Sequence, residues 1–199
     1  YLYSLHLMQG PSFSCLRLTI VCASLPTVEG QEMSQGVLIT FEGMEGCGKS
    51  TQAQRLVEGL KRHGVPALLT AEPGGTAIGR SIRRLLLDAK NRDLTPLAEL
   101  LLYEADRALH VEQVIKPSLD RGSWVICDRF CDATVVYQGL GRGQDMALVR
   151  LLNRKAAQGI QPDATFLLDC PVEVGLERAL SRNRRSQQED QGRFEAEAI

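Results

Sequence analysis

Gly43-Met44-Glu45-Gly46-Cys47-Gly48-Lys49-Ser50 is the stretch that decides the fold of this 199-residue chain. It satisfies G-x-x-x-x-G-K-[ST] at every fixed position, and its neighbours supply the context the pattern needs. Upstream, Val37-Leu-Ile-Thr-Phe41 is apolar and β-branched, a run suited to a buried strand. Downstream, Ala53, Leu56, Val57 and Leu60 recur at helical spacing until Gly64 and Pro66 stop the pattern. A strand, a glycine-rich bend and a helix in that order make a phosphate cradle. Side chains must stay out of the bend for backbone N–H groups to converge on phosphate oxygens, and the helix N-terminus adds partial positive charge. The expected triphosphate-binding set therefore runs from Gly43 through Thr51. Within it Lys49 reaches the β- and γ-phosphates, and the Ser50 hydroxyl ligates Mg²⁺.

Outward from this unit, further strands are expected at Ala67 to Thr70, Trp124 to Cys127 and Thr165 to Leu168. Between them Ile78, Ile82, Leu85 and Leu86 mark one amphipathic helix. Thr95-Pro96 opens a longer one, with Thr as N-cap and Pro at the first helical position. That helix runs toward Pro117, which is expected to kink or end it. Continuous apolar strands alternating with helices indicate an α/β fold, a P-loop NTPase-type parallel sheet covered by helices on both faces. No internal repeat is apparent. The polar stretch from 181 to 193 is expected to be exposed and mobile.

Hydrophobic residues at 44%, charged residues at 24% and a net charge of -1 fit an ordinary globular domain, not a nucleic-acid coat or a polybasic membrane surface. The apolar run from Leu16 to Leu25 is too short to span a bilayer. Six scattered cysteines without a CxxC pair exclude zinc-ligand spacing and read as reduced thiols of a cytoplasmic protein. Residues 1–32 read as an upstream or non-native segment, expected to be disordered, with Met33 as the natural start of a domain covering 33–199.

The phosphate loop announces a nucleoside triphosphate without saying what it is for. The base-reading N-K-x-D of a GTPase is absent from the sequence. A motor ATPase would end an apolar strand in Asp-Glu, whereas the third strand here ends in Asp128-Arg129. An arginine at that place suits a second phosphate-bearing substrate better than an activated water.

At this level the sequence resembles the bacterial thymidylate kinases over about residues 36–199. The resemblance rests on Phe41-Glu-Gly-Met-Glu-Gly-Cys-Gly-Lys-Ser-Thr-Gln52, Glu72-Pro-Gly-Gly-Thr76, Asp128-Arg-Phe130, and Tyr137-Gln-Gly139 followed by Gly141-Arg-Gly143. It implies transfer of the γ-phosphoryl group of ATP to dTMP, with Mg²⁺ as cofactor, by a cytoplasmic homodimer that binds neither nucleic acid nor membrane. It also implies roles for particular residues. Glu45 accepts from the 3′-hydroxyl of the deoxyribose, Tyr103 stacks on thymine, and Arg83 meets the base edge. Arg107 and Arg129 hold phosphate and substrate, Thr134 and Gln138 lie near the ring, and Glu72 is a carboxylate at the substrate end. Asp128 is an outer-shell ligand of the metal. Lys49 and Arg129 are catalytic, joined by an arginine of a closing lid at about 181–195, for which Arg182, Arg184 and Arg185 are the candidates. His110 reads as structural.

Two departures qualify the resemblance. Ala71 stands where the family often has Arg, and the chain stops at Ile199, inside the lid-end motif Arg193-Phe-Glu-Ala-Glu197. Family members continue through a further helix and strand, so the C-terminal part of the fold is expected to be missing. The rival readings are another nucleotide or deoxynucleoside kinase on the same fold, or a non-catalytic nucleotide-binding protein.

Overall fold

The computed structural model describes residues 2–5, 17–22 and 36–186, with side chains of the final helix described as far as Arg182. In chain order the first elements are strands β1 (Leu2–Leu5), β2 (Arg17–Cys22) and β3 (Leu38–Glu42). Helix α1 (Lys49–Arg62), strand β4 (Ala67–Ala71), and helices α2 (Ala77–Leu87) and α3 (Pro96–His110) follow. A π-helical segment, Val111–Ile115, leads directly into α4 (Lys116–Asp120), then strand β5 (Trp124–Asp128). The short helix α5 (Cys131–Thr134) continues into a second π-helical segment, Val135–Gly141. Helix α6 (Met146–Ala157), strand β6 (Ala164–Asp169) and helix α7 (Val172–Ser186) complete the described chain.

The sheet order is β1-β2-β6-β3-β5-β4. β3 lies between β5 and β6 and runs parallel to both, and β4 pairs parallel with β5. Every side chain of β3 is buried because both faces of the sheet are covered. Ile39 and Phe41 pack with Ala53 and Val57 of α1 and with Trp124 and Ile126 of β5. Leu38 points the other way, into a cluster with Val111, Ile115, Val125, Cys127 and Ala157. This two-sided burial explains why β3 and β5 read as unbroken apolar runs and not as alternating ones. Register is fixed partly by a side-chain hydrogen bond across the parallel pair, Thr40 Oγ1 to Thr165 Oγ1 at 2.9 Å.

The expected α/β architecture is therefore present, with strand positions within a residue or so of those read from sequence. Two local expectations need correction. Of the two outcomes expected at Pro117, an end to the helix is not seen, since the helical path continues through it. The π-helical segment before it widens the turn, and Pro117 occupies one of the first two positions of α4, where a missing N–H leaves little unsatisfied. The sequence reading also placed no strand before Val37. In the structure β2 pairs antiparallel with β6, Arg17 opposite Asp169 through Cys22 opposite Ala164, and β1 pairs with β2. The lid expected at 181–195 divides: residues 181–186 continue α7, and the rest lies outside the described residues.

Glu42 closes β3 and is 4% exposed, and its Oε1 accepts from the Phe130 backbone N–H at 2.8 Å. Burial pushes this carboxyl up to about 7 from an ordinary 4.5, against the lowering pull of the Phe130 N–H, Arg129 and Lys49. The native state thus holds a proton that the unfolded chain has released above pH 4.5. Stability from this group is complete below about pH 4.5 and is lost as pH rises through about 7. Glu42→Gln keeps the acceptor and removes the titration. In urea denaturation of the nucleotide-free protein, wild type should lose roughly 1–3 kcal/mol more than this variant between pH 4.5 and 7.5. Parallel pH profiles for the two proteins would refute the assignment.

Candidate active site

The bend after β3 takes its shape from three left-handed glycines, Gly43 (φ 138°), Gly46 (φ 72°) and Gly48 (φ 99°). At Gly46 a Cβ would come within 2.0 Å of the Gly175 carbonyl oxygen, so α7 packs on bare backbone there. Gly48 caps α1, and Lys49 and Ser50 occupy its first turn. The Lys49 ammonium turns back over the bend, donating to the Met44 carbonyl at 2.7 Å and lying 3.8 Å from Cys47 Sγ. Burial and the neighbouring Arg129 charge hold the Lys49 pKa below its usual value, opposed by Cys47, Glu45 and Asp128. A lysine desolvated in this way gains from an incoming polyanion.

Ser50 Oγ donates to Asp128 Oδ2 at 2.5 Å. The other oxygen, Asp128 Oδ1, is buried with no hydrogen-bond partner among the described residues. A hydroxyl next to a half-satisfied carboxylate is an oxygen donor set suited to a hard divalent cation, so Ser50 and Asp128 fit Mg²⁺.

Arg129, immediately after β5, is held with φ 72°, rare for a non-glycine residue. Its guanidinium donates to the Gly43 carbonyl at 3.2 Å, pairs closely with Glu45 and sits 5.2 Å from the centre of the Tyr137 ring. Arg182 of α7 approaches the second Glu45 oxygen at 3.8 Å. Burial raises the Glu45 carboxyl, but Arg129, Lys49 and Arg182 outweigh it, and its pKa ends below the ordinary range. The strand β5 turn thereby touches the phosphate loop directly, and the candidate acceptor for a sugar hydroxyl is engaged with the candidate phosphate clamp.

Arg107 is 2% exposed and uses all five of its N–H donors within the protein. Nε donates to Glu72 Oε2 at 2.8 Å, and Nη1 to Glu104 Oε2 at 3.0 Å and to Asn153 Oδ1. Nη2 donates to the Phe130 carbonyl at 3.1 Å and to Thr134 Oγ1 at 2.9 Å. The remaining Glu72 oxygen meets His110 Nδ1 at 2.8 Å, and His110 Nε2 meets Thr70 Oγ1 at 2.7 Å. Glu72 therefore directs both oxygens at its own protein, and His110 is an interior part of the same network. Asn153, Glu104 and Thr70 belong to it too; Asn153 lies 46 residues from Arg107, while Glu104 and Thr70 sit close to Arg107 and Glu72 but carry no motif signature of their own.

These groups open onto one cavity of about 1100 Å³. Lys49, Ser50, Asp128 and Arg129 line it together with Glu45, Gly46, Gly48 and Thr51. So do the residues expected at the acceptor, namely Glu72, Arg83, Tyr103, Arg107, Thr134 and Gln138. Gly43, Met44 and Cys47 shape the bend without lining the cavity. Arg83 is tethered by Nη1 to the Pro73 carbonyl at 2.8 Å. Of the lid arginines Arg182 reaches the cavity, and the side chains of Arg184 and Arg185 lie outside the described residues. The sequence reading missed Tyr137, Arg80 and Arg178, which also line it. Arg178 was findable, since it precedes Arg182 by one helical turn.

Comparison with known proteins agrees with this geometry. The family profile described as thymidylate kinase matches residues 41–198. The chain is 54% identical over 164 residues to the thymidylate kinase of Citrifermentans bemidjiense, an alignment covering 82% of this chain and 73% of that protein. It is 58% identical over 147 residues to that of Geotalea daltonii, covering 74% and 69%. A crystal structure of thymidylate kinase from Ehrlichia chaffeensis superposes with a TM-score of 0.65 at 39% identity, covering 77% of this chain and 89% of that one. With a phosphate loop and an Asp-Arg strand end sharing one cavity, and with relatives at this level over most of its length, the chain belongs to the thymidylate kinase family.

Proposed function

We infer that this chain transfers the γ-phosphoryl group of ATP to dTMP, giving dTDP and ADP. The observation that carries the reading is that Lys49 of the phosphate loop and Arg129 of the β5 turn line the same cavity, with Glu45 of that loop paired to Arg129. Family membership supports the acceptor. The rival readings, a kinase for another acceptor or a binder without turnover, find no support in either.

A dTMP phosphate oxygen attacks the γ-phosphorus in line, forming one P–O bond as the bond to the β-phosphate oxygen breaks and ADP departs. The residues make no covalent bond, so catalysis comes from positioning and from opposing the repulsion of two anions. Lys49 leaves the Met44 carbonyl for the β- and γ-phosphates. Arg129 exchanges part of its contact with Glu45 for the dTMP phosphate, which frees Glu45 to accept from the 3′-hydroxyl. Glu72, fully committed to Arg107 and His110, acts by holding that framework. Tyr103 presents its ring to the base, Thr134, Gln138 and Arg83 face its edge, and Arg182 with Arg184 and Arg185 supplies the lid charge. Ser50 and Asp128 would hold Mg²⁺. When bound, Mg²⁺ neutralises charge on the β- and γ-oxygens.

The protein is proposed to act in the cytoplasm as a homodimer. Among the described residues no helix is long and apolar enough to cross a membrane, and Cys47, Cys127, Cys131 and Cys170 are free thiols. Ile78 and Leu85 on α2, Leu97 and Leu101 on α3, and Val136 and Leu140 on the π-helical segment Val135–Gly141 are large apolar side chains left exposed. α3 packs against both neighbours, so these pairs lie on adjoining elements, and a second copy would bury them.

In a coupled ADP-release assay with Mg-ATP, dTMP should be turned over, and Lys49→Ala should lower kcat/KM by roughly 10²–10³-fold. Ser50→Ala should raise the Mg²⁺ concentration needed for half-maximal rate at fixed ATP. An unaltered kcat/KM in Lys49→Ala would remove the phosphate-clamp assignment. Light scattering should give twice the chain mass, and Leu101→Glu with Leu140→Glu should shift it to that of a single chain. A wild-type monomer would sink the dimer.

A further inference from the structure

The motif Gly141-Arg142-Gly143 has no part in the mechanism above, and neither does Glu99, a carboxylate with 0% exposure on α3. The structure joins them. Arg142 grips Glu99 with two parallel contacts, Nε to Oε1 and Nη2 to Oε2, both at 3.1 Å. Glu99 Oε1 also accepts from Gln138 Nε2 at 2.9 Å. A carboxylate paired with a guanidinium only accepts, so the Gln138 carboxamide must present nitrogen to it. The amide is therefore fixed by chemistry: Nε2 faces inward, and Oε1 is left without a hydrogen-bond partner among the described residues, on a side chain that lines the cavity.

Two neighbours define what this oxygen meets. Tyr103 follows Glu99 by one helical turn and lines the same cavity as Gln138, so an aromatic ring is available to a base in that cavity. Thr134 precedes Gln138 by one turn. Its Oγ1 accepts from Arg107, and no acceptor among the described residues takes its own hydrogen. The wall thus offers an acceptor next to a donor, beside a stacking surface. That pattern complements the imide edge of thymine or uracil, an N3–H next to a carbonyl. Cytosine in the same register brings a lone pair to the acceptor, a mismatch that the held Gln138 amide cannot relieve by turning.

We propose that Glu99, gripped by Arg142, is a positioning residue for base selection, fixing the Gln138 carboxamide so that the site accepts a hydrogen bond from the N3–H of a pyrimidine-dione and rejects cytosine. The proposal rests on the reading of the site as one that takes dTMP. Met146 supports the strap that carries these residues, since a Cβ on Gly139 would come within 2.6 Å of its sulfur.

The test is steady-state kinetics with dTMP, dUMP and dCMP on wild type, Glu99→Gln and Arg142→Gln, with thermal unfolding of each. Glu99→Gln offers both a donor and an acceptor to Gln138 and so lets the amide turn. The ratio of kcat/KM for dTMP over dCMP should fall roughly ten- to a hundredfold. Most of the loss should appear as raised KM for dTMP and dUMP together, with kcat within about threefold. If Glu99→Gln does not fold, Arg142→Gln, altered at the less buried partner, decides by the same ratio. An unchanged ratio in a folded variant, or equal losses on all three substrates, overturns the positioning role while leaving the dTMP reading intact. Absence of dTMP turnover in wild type overturns both.

Discussion

The buried guanidinium of Arg107 is the constraint on which the site depends. Its five donors reach Glu72 after β4, Glu104 on its own helix, Phe130 and Thr134 after β5, and Asn153 on α6. A charge with 2% exposure is tolerable only when such partners replace water. Burial opposes the charged form, yet Glu72 and Glu104 more than offset it, and the pKa stays above the usual arginine value. The consequence is geometric. Four segments distant in sequence cannot drift apart without stranding a buried charge, so the walls of the cavity are fixed relative to one another before any substrate arrives.

That framework leaves the opposite wall less committed. Glu45, Arg129 and Lys49 satisfy one another or nearby carbonyls through contacts that a phosphate or hydroxyl can replace. The division is a physical one. Carboxylates that point inward, such as Glu72 and Glu99, have all their charge spent on protein donors and set geometry. Carboxylates that line the cavity, such as Glu45 and Asp128, keep an exchangeable or unused oxygen that a ligand could take.

The fold was largely legible because its signals are local. The apolar run before Gly43, the helical spacing after Lys49 and the Thr95-Pro96 cap each depend on a few adjacent residues, and Thr95 indeed accepts from the Ala98 N–H at 3.4 Å. The outlying strands Leu2–Leu5 and Arg17–Cys22 were not legible, since the second pairs with Ala164–Asp169, more than a hundred residues away, and the first joins the sheet only through the second. At Pro117 the choice between a kink and an end was not legible for a related reason: it depends on the π-helical turn ahead, which has no sequence signature of its own. In the site, the phosphate loop and Asp128-Arg129 were readable from motif alone. The partners Asn153, Glu99 and Arg142 were not, because a hydrogen bond across the fold leaves no periodicity behind.

Glu99 shows what this costs a motif-based reading. Gly141-Arg142-Gly143 resembles a flexible, solvated turn, and an arginine between glycines is ordinarily just that. In the structure the glycine-flanked arginine reaches a fully buried carboxylate, and that carboxylate in turn leaves a neighbouring amide only one orientation. Each step follows from a valence limit: a carboxylate that cannot donate, an amide with one donating end, a guanidinium with no acceptor. Specificity argued this way requires no contact between Arg142 and the substrate. It requires only that the chain of satisfied groups end at one atom facing the cavity, as it does at Gln138 Oε1.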